Sequence, residues 1–153
     1  MDLMPKAKPS FAHLREIHLK WIRLYNRILT QTGLTMPKYS LLSQLVRYGK
    51  IPLTEASEKL YISKPAMTNL VKRMEKENLL KKVAHPEDHR SSLLYLLPKG
   101  KKTVLKAQIN ILKFMMSALT SLPENEKVII DKFLNHLSGF MDGALIQSKG
   151  SKN

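Results

Sequence analysis

The chain contains no cysteine at all. Disulfides, thiolate metal centres, thiol redox sensing and zinc fingers are thereby excluded. Acid is scarce as well, with 12 Asp+Glu against 26 Lys+Arg and a formal net charge of +14. Such an imbalance speaks about partners rather than fold, and it favours polyanions: nucleic acid or an acidic membrane face. Long apolar runs are missing too, none approaching the roughly 20 residues that a membrane-crossing helix requires. The start, MDLMPKAKPS, is basic but lacks a signal peptide's apolar stretch. A cytoplasmic location without a membrane partner is the expectation. No internal repeat or low-complexity tract interrupts the chain.

What is present is an ordinary globular composition, 43% hydrophobic and 25% charged over 153 residues, enough for one domain with a substantial core. Helical periodicity dominates. Phe11, Leu14, His18, Trp21, Tyr25 and Ile28 alternate spacings of three and four, predicting a helix over 10–31 with one apolar stripe. Gly33 stops it. Thr35 as N-cap and Pro37 in the first turn open a second helix through Tyr48, with Leu42, Leu45 and Val46 buried and Gly49 at its end. A short helix over 54–60 turns Leu53, Ala56 and Leu60 inward. After a turn at YIS, Ser63 caps KPAMTNLVKRMEKEN, whose Met67, Leu70, Val71 and Met74 share one side. LLKKVA and LLYLL read as two strands of a hairpin around the polar loop AHPEDHRSSL. Two long helices, about 99–119 and 123–147, complete the chain, with Ser121 and Glu124 at capping-box spacing between them. The first nine residues and 149–153 are expected to be disordered.

Helix, short helix, tight turn, helix, β-hairpin is the order of a winged helix-turn-helix. In that architecture a helix enters the major groove and side chains of its exposed N-terminal half read base edges. The outward face here offers Lys64, Pro65, Thr68, Asn69, Lys72 and Arg73 behind the Ser63 cap, and carries no acid at its centre. Asn pairs bidentately with adenine, and Lys or Arg with guanine. A solvated surface helix with scattered lysines is the plainer reading of the same face.

The stretch LTEASEKLYISKPAMTNLVKRMEKENLLKKVAHPEDHRSSLLYLLPKG, residues 53–100, closes on Asp88-His89-Arg90 and decides between them. It resembles the DNA-binding half of the MarR (multiple antibiotic resistance regulator) family, with its Asp-x-Arg wing signature. The flanking long helices follow the family's order, so the likeness covers nearly the whole chain. It implies a mainly α fold: N-terminal dimerisation helix over 10–34, winged helix-turn-helix domain over 35–98, C-terminal dimerisation helices over 99–148. It also implies that Arg90 enters the minor groove while Asp88 holds it. A narrow minor groove concentrates negative potential, and a carboxylate fixes a guanidinium by charge-assisted hydrogen bonds. Two departures stand out. His85 replaces the aspartate common before the wing proline, and Leu97-Pro98-Lys99-Gly100 replaces Leu-Thr-x-x-Gly. Losing that threonine removes an N-cap, costing on the order of 1 kcal/mol unless Pro98 compensates.

Late apolar stripes exceed what one small winged domain covers: Ile111, Leu112, Met115, Met116 and Leu119, then Ile130, Phe133, Leu134, Leu137, Phe140, Met141 and Leu145. Contiguous apolar patches mark interfaces, so a two-fold homodimer on a pseudo-palindromic duplex is expected; a monomeric core is the alternative. Family resemblance further implies a small aromatic or phenolic effector in a cleft, for which His18, Trp21, Tyr25 and Met115 are candidates. Those four also fit as plain core. The five histidines show no metal-ligand spacing, and no cofactor motif, Ser/His/Asp grouping, phosphate loop or carboxylate pair points to an enzyme. The function read from sequence is thus a sequence-specific DNA-binding transcriptional regulator, a repressor acting on double-stranded DNA. Against it stands a non-specific architectural or RNA-binding winged-helix protein.

Overall fold

The computed structural model describes residues 9–86 and 92–150, and side-chain surroundings over 12–86 and 92–144. In chain order the elements are α1 (Pro9–Thr30), α2 (Met36–Tyr48), β1 (Lys50–Pro52), α3 (Leu53–Lys59), α4 (Lys64–Lys76), β2 (Leu80–Ala84), β3 (Ser92–Leu96), α5 (Pro98–Leu119) and α6 (Glu124–Gly150). The fold is mainly helical with a three-stranded antiparallel sheet ordered β1-β3-β2. Two compact units divide the chain, one through Ile111 and one from Leu112 onward.

Three helices end alike. Gly33, Tyr61 and Asn78 adopt φ of 72°, 52° and 58°. The residue after each donates its N–H five residues back: Leu34 to Leu29 O at 3.1 Å, Ile62 to Ser57 O at 3.0 Å and Leu79 to Met74 O at 3.0 Å. These are Schellman caps, which satisfy carbonyls the helix leaves unpaired. Only the first uses glycine.

The first unit's core is one cluster. Leu41, Leu42 and Leu45 of α2 meet Met67, Val71 and Met74 of α4, Ile51 and Leu94 of the sheet, Leu29 of α1, and Val104 and Ala107 of α5. The four apolar residues expected inside α4 are all buried. Val46 is not; at 36% exposure it lies off the α2 core face, which Leu41 occupies instead. Leu53 and Leu60 pack against the cluster's edge.

The hairpin gains a partner that periodicity did not reveal. β1 is three residues long, too short for any alternation to register, and pairs Ile51 with Leu94 while β2 pairs Lys82 with Leu94 from the other side. The expected capping box before α6 does not form. Ser121 Oγ donates to Ala118 O at 3.3 Å, finishing α5, and Pro123 O accepts from Glu126 N–H at 3.1 Å. Helix α6 also continues through Gly150, into the tail expected to be disordered; residues 1–8 and 151–153 lie outside the described residues.

Candidate nucleic-acid interface

The turn between α3 and α4 aims the second helix. Its Schellman cap reverses the chain at Tyr61, Ile62 drops into the core edge, and Ser63 Oγ then accepts the Ala66 N–H at 3.4 Å as N-cap. Pro65 sits in the first turn, where a missing N–H costs nothing. With one face of α4 committed to the core, helical geometry forces the other into solvent.

That outer face holds the residues the sequence singled out. Ser63, Lys64, Pro65, Asn69, Lys72 and Arg73 are exposed, and Thr68 is half-buried. Pro65, Asn69, Lys72 and Lys76 lie opposite the buried stripe, with Lys64 and Thr68 on one flank and Arg73 on the other. Two side chains are partly engaged by the helix itself: Thr68 Oγ1 donates to Lys64 O at 2.9 Å, and Arg73 Nε to Asn69 O at 3.4 Å. Arg73 also lines a 280 Å³ hollow with Thr35, Pro37, Ile62, Ala66 and Leu70.

Both acids of this segment are drawn away from the outer face. Glu75 Oε1 accepts the Lys82 backbone N–H at 2.8 Å, tying α4 to β2. Glu77 takes Lys38 Nζ at 2.6 and 2.7 Å, with the lysine side chain only 15% exposed, so the start of α2 is pinned to the foot of α4. Lys99 Nζ adds a bond to Glu77 O at 2.8 Å. What α4 offers outward is therefore amide, hydroxyl and cation, the chemistry that pairs with base edges and phosphates. Strand pairing runs outward to Ala84↔Ser92. Asp88 and Arg90, expected to carry the wing, lie outside the described residues.

The effector candidates separate. Trp21 and Tyr25 pack with ring centroids 5.1 Å apart and planes tilted 53°, and Tyr39 of α2 meets Tyr25 edge-on at 6.4 Å. Burial, then the neighbouring Tyr39, holds the Tyr25 phenol above its ordinary pKa. His18 is exposed in the chain, correcting the expectation of a core histidine. Met115 lies in the second unit and is 38% exposed. Tyr39 went unnoticed in the sequence, although an aromatic in the first turn of the second helix was the available signal.

Comparison with known proteins agrees with this geometry. The family model described as "MarR family" matches residues 34–92, the span from the start of α2 to the start of β3. Over that span the chain resembles the MarR family. It is a DNA-binding transcriptional regulator. Among its relatives, the uncharacterised HTH-type transcriptional regulator YsmB of Bacillus subtilis is 29% identical over 110 residues, covering 72% of this chain and 75% of YsmB. A MarR family protein from Bacillus stearothermophilus superposes with a TM-score of 0.80 at 25% identity, covering 91% of this chain and 99% of that one. NadR, solved in complex with 4-hydroxyphenylacetate, shares the fold at a TM-score of 0.69 and 18% identity, covering 90% and 97%. Among the described residues, no helix is long and apolar enough to cross a membrane.

Proposed function

We propose that this chain is a MarR-family repressor that binds a pseudo-palindromic operator as a homodimer. The observation that carries the reading is the acid-free outer face of α4, held rigid by a core on one side and by Glu75 and Glu77 bonds at its end. Asn69, Lys64 and Arg73 read base edges in the major groove and Lys72 meets a backbone phosphate, with Ser63, Pro65 and Thr68 seating the helix start against the backbone. Arg90, steadied by Asp88, enters the adjacent minor groove.

Homodimerisation is supported by apolar residues with no cover in the single chain. Leu112, Phe133 and Phe140 are 57%, 55% and 71% exposed. Ile17 and Ile22 of α1 are likewise exposed. Closing such faces between two copies removes them from water and sets two α4 helices roughly 34 Å apart, one turn of duplex.

The likeness to NadR supports an aromatic or phenolic effector bound beside Trp21 and Tyr25, with His18 of the same helix as a further contact, releasing the operator. The charge of +14 favours a second reading, a non-specific architectural or RNA-binding protein. Selection of bound duplexes from a random pool, followed by competition between the selected and a scrambled duplex, tests the proposal. A preference of about 1,000-fold or more is expected of specific readout. Equal affinity for both duplexes would establish the second reading instead.

A further inference from the structure

A concavity of about 370 Å³ opens on the side of the first unit formed by α2, β3 and α5. Its walls are Leu45, Val46 and Gly49 at the end of α2, the end of β3, and Leu97, Pro98 and Lys101 where α5 begins. None of the candidates for DNA or effector contact lines it. We propose that this cleft binds a monoanionic aliphatic amphiphile, of the medium-chain carboxylate class.

The chemistry of the lining selects the ligand. Val46 was expected in the core but stands 36% exposed, so its side chain keeps apolar surface in contact with water. The Leu96–Pro98 segment extends that surface, and buried Leu45 lies beneath it. No aromatic ring, hydroxyl or side-chain amide lines the cleft. It therefore offers nothing for stacking, and its one polar side chain, the Lys101 ammonium, suits an anion better than a neutral hydroxyl. Flexible methylenes against aliphatic walls are the matching body, each buried CH₂ contributing about 0.8 kcal/mol. Lys101 is the only charged lining residue. Among the described residues no carboxylate pairs with it, and α5 carries no acid anywhere along PKGKKTVLKAQINILKFMMSAL. A single anionic head is the complement. The volume lies at the small end of ligand sites.

Occupancy would be felt at the DNA-reading helix. Pro98 and Lys101 bracket the turn in which Lys99 bonds Glu77 O and Gly100 lies against Leu79. A ligand seated there touches the turn that backs the foot of α4.

Octanoate and octan-1-ol are the probes, titrated into the full-length protein while backbone amides are followed by NMR. Saturable shifts centred on Val46, Gly49, Leu97 and Lys101 are expected with both. Lys101→Ala should weaken octanoate about fivefold, the scale of an exposed ion pair, and leave octan-1-ol unchanged. Val46→Trp should fill the cleft and abolish both, with amides of the remaining core unmoved. Absence of saturable shifts, shifts confined to Trp21, Tyr25 and Tyr39, or equal loss of both probes in Lys101→Ala would overturn the assignment.

Discussion

Gly100, in the first turn of α5, lies so close to Leu79 that a Cβ placed on it would sit 1.9 Å from the Leu79 carbonyl oxygen and 2.8 Å from its carbonyl carbon. The same carbonyl accepts the Leu97 N–H at 3.1 Å, so it has no freedom to withdraw. Helix propensity alone would make Gly100→Ala stabilising by about 1 kcal/mol. The backbone clash outweighs that gain, since overpacking against immovable atoms costs about 1–3 kcal/mol. Gly100→Ala is therefore expected to lower the midpoint of thermal unfolding by several degrees. A rise instead would show that α5 can pull away from Leu79.

Tyr61 supplies the opposite case. It holds φ 52° with 65% exposure at the Schellman position of the helix-turn-helix. A left-handed conformation costs an L-residue with a Cβ about 1–2 kcal/mol, and glycine nothing. Tyr61→Gly should change stability by less than about 1 kcal/mol in urea unfolding, because the relief is offset by glycine's larger unfolded-chain entropy and by loss of the tyrosine side chain's own interaction.

These two positions mark what the sequence could and could not reveal. The apolar stripe of α4 was legible because Met67, Leu70, Val71 and Met74 repeat at helical spacing, and that repeat also fixed which side chains face out. Strand β1 was not: Lys50–Pro52 ends in a residue that cannot donate to a ladder and has no room for alternation. Val46 sits beside Leu45 and so reads as core by composition; only the angular position of Leu41 shows that it is displaced. The ties of Lys38 and Lys99 to Glu77 join residues 39 and 22 apart, a separation at which charge pattern carries no spatial information. The Tyr25–Tyr39 contact was hidden for the same reason, bridging two helices.

The Tyr25 phenol gives a pH signature. Its folded pKa is raised, chiefly by burial and then by Tyr39. The unfolded chain therefore loses this proton first as pH rises. Stability from this group is fully present below the unfolded value near 10 and is lost as pH climbs through the folded one. Urea midpoints at alkaline pH should fall less steeply in Tyr25→Phe than in the parent protein. Identical slopes would show that the ring is solvated.

The exposed apolar side chains of α6 predict assembly. Phe133 and Phe140 are each more than half exposed in the single chain. Replacing both with aspartate removes apolar burial and sets like charges across any two-fold contact. Sedimentation velocity should show a dimer for the parent protein and a monomer for Phe133→Asp/Phe140→Asp. A parent that sediments as a monomer would refute dimerisation.

Asn69 and Lys72 stand three residues apart on the outer face of α4, yet their substitution should leave different fingerprints on DNA binding. An asparagine reading a base edge bidentately discriminates by about 1–3 kcal/mol. Asn69→Ala should thus weaken the selected operator while barely changing a scrambled duplex, so the specificity ratio falls about tenfold. A lysine on phosphate acts through counterion release. Its loss lowers the slope of log affinity against log salt by about 0.9 per contact. Lys72→Ala should weaken both duplexes alike and flatten that slope, leaving the ratio intact. Fluorescence anisotropy over a salt series separates the two. Reversal of the pattern, with Lys72→Ala eroding the ratio and Asn69→Ala the slope, would mean that the outer face meets the groove rotated from the arrangement proposed here.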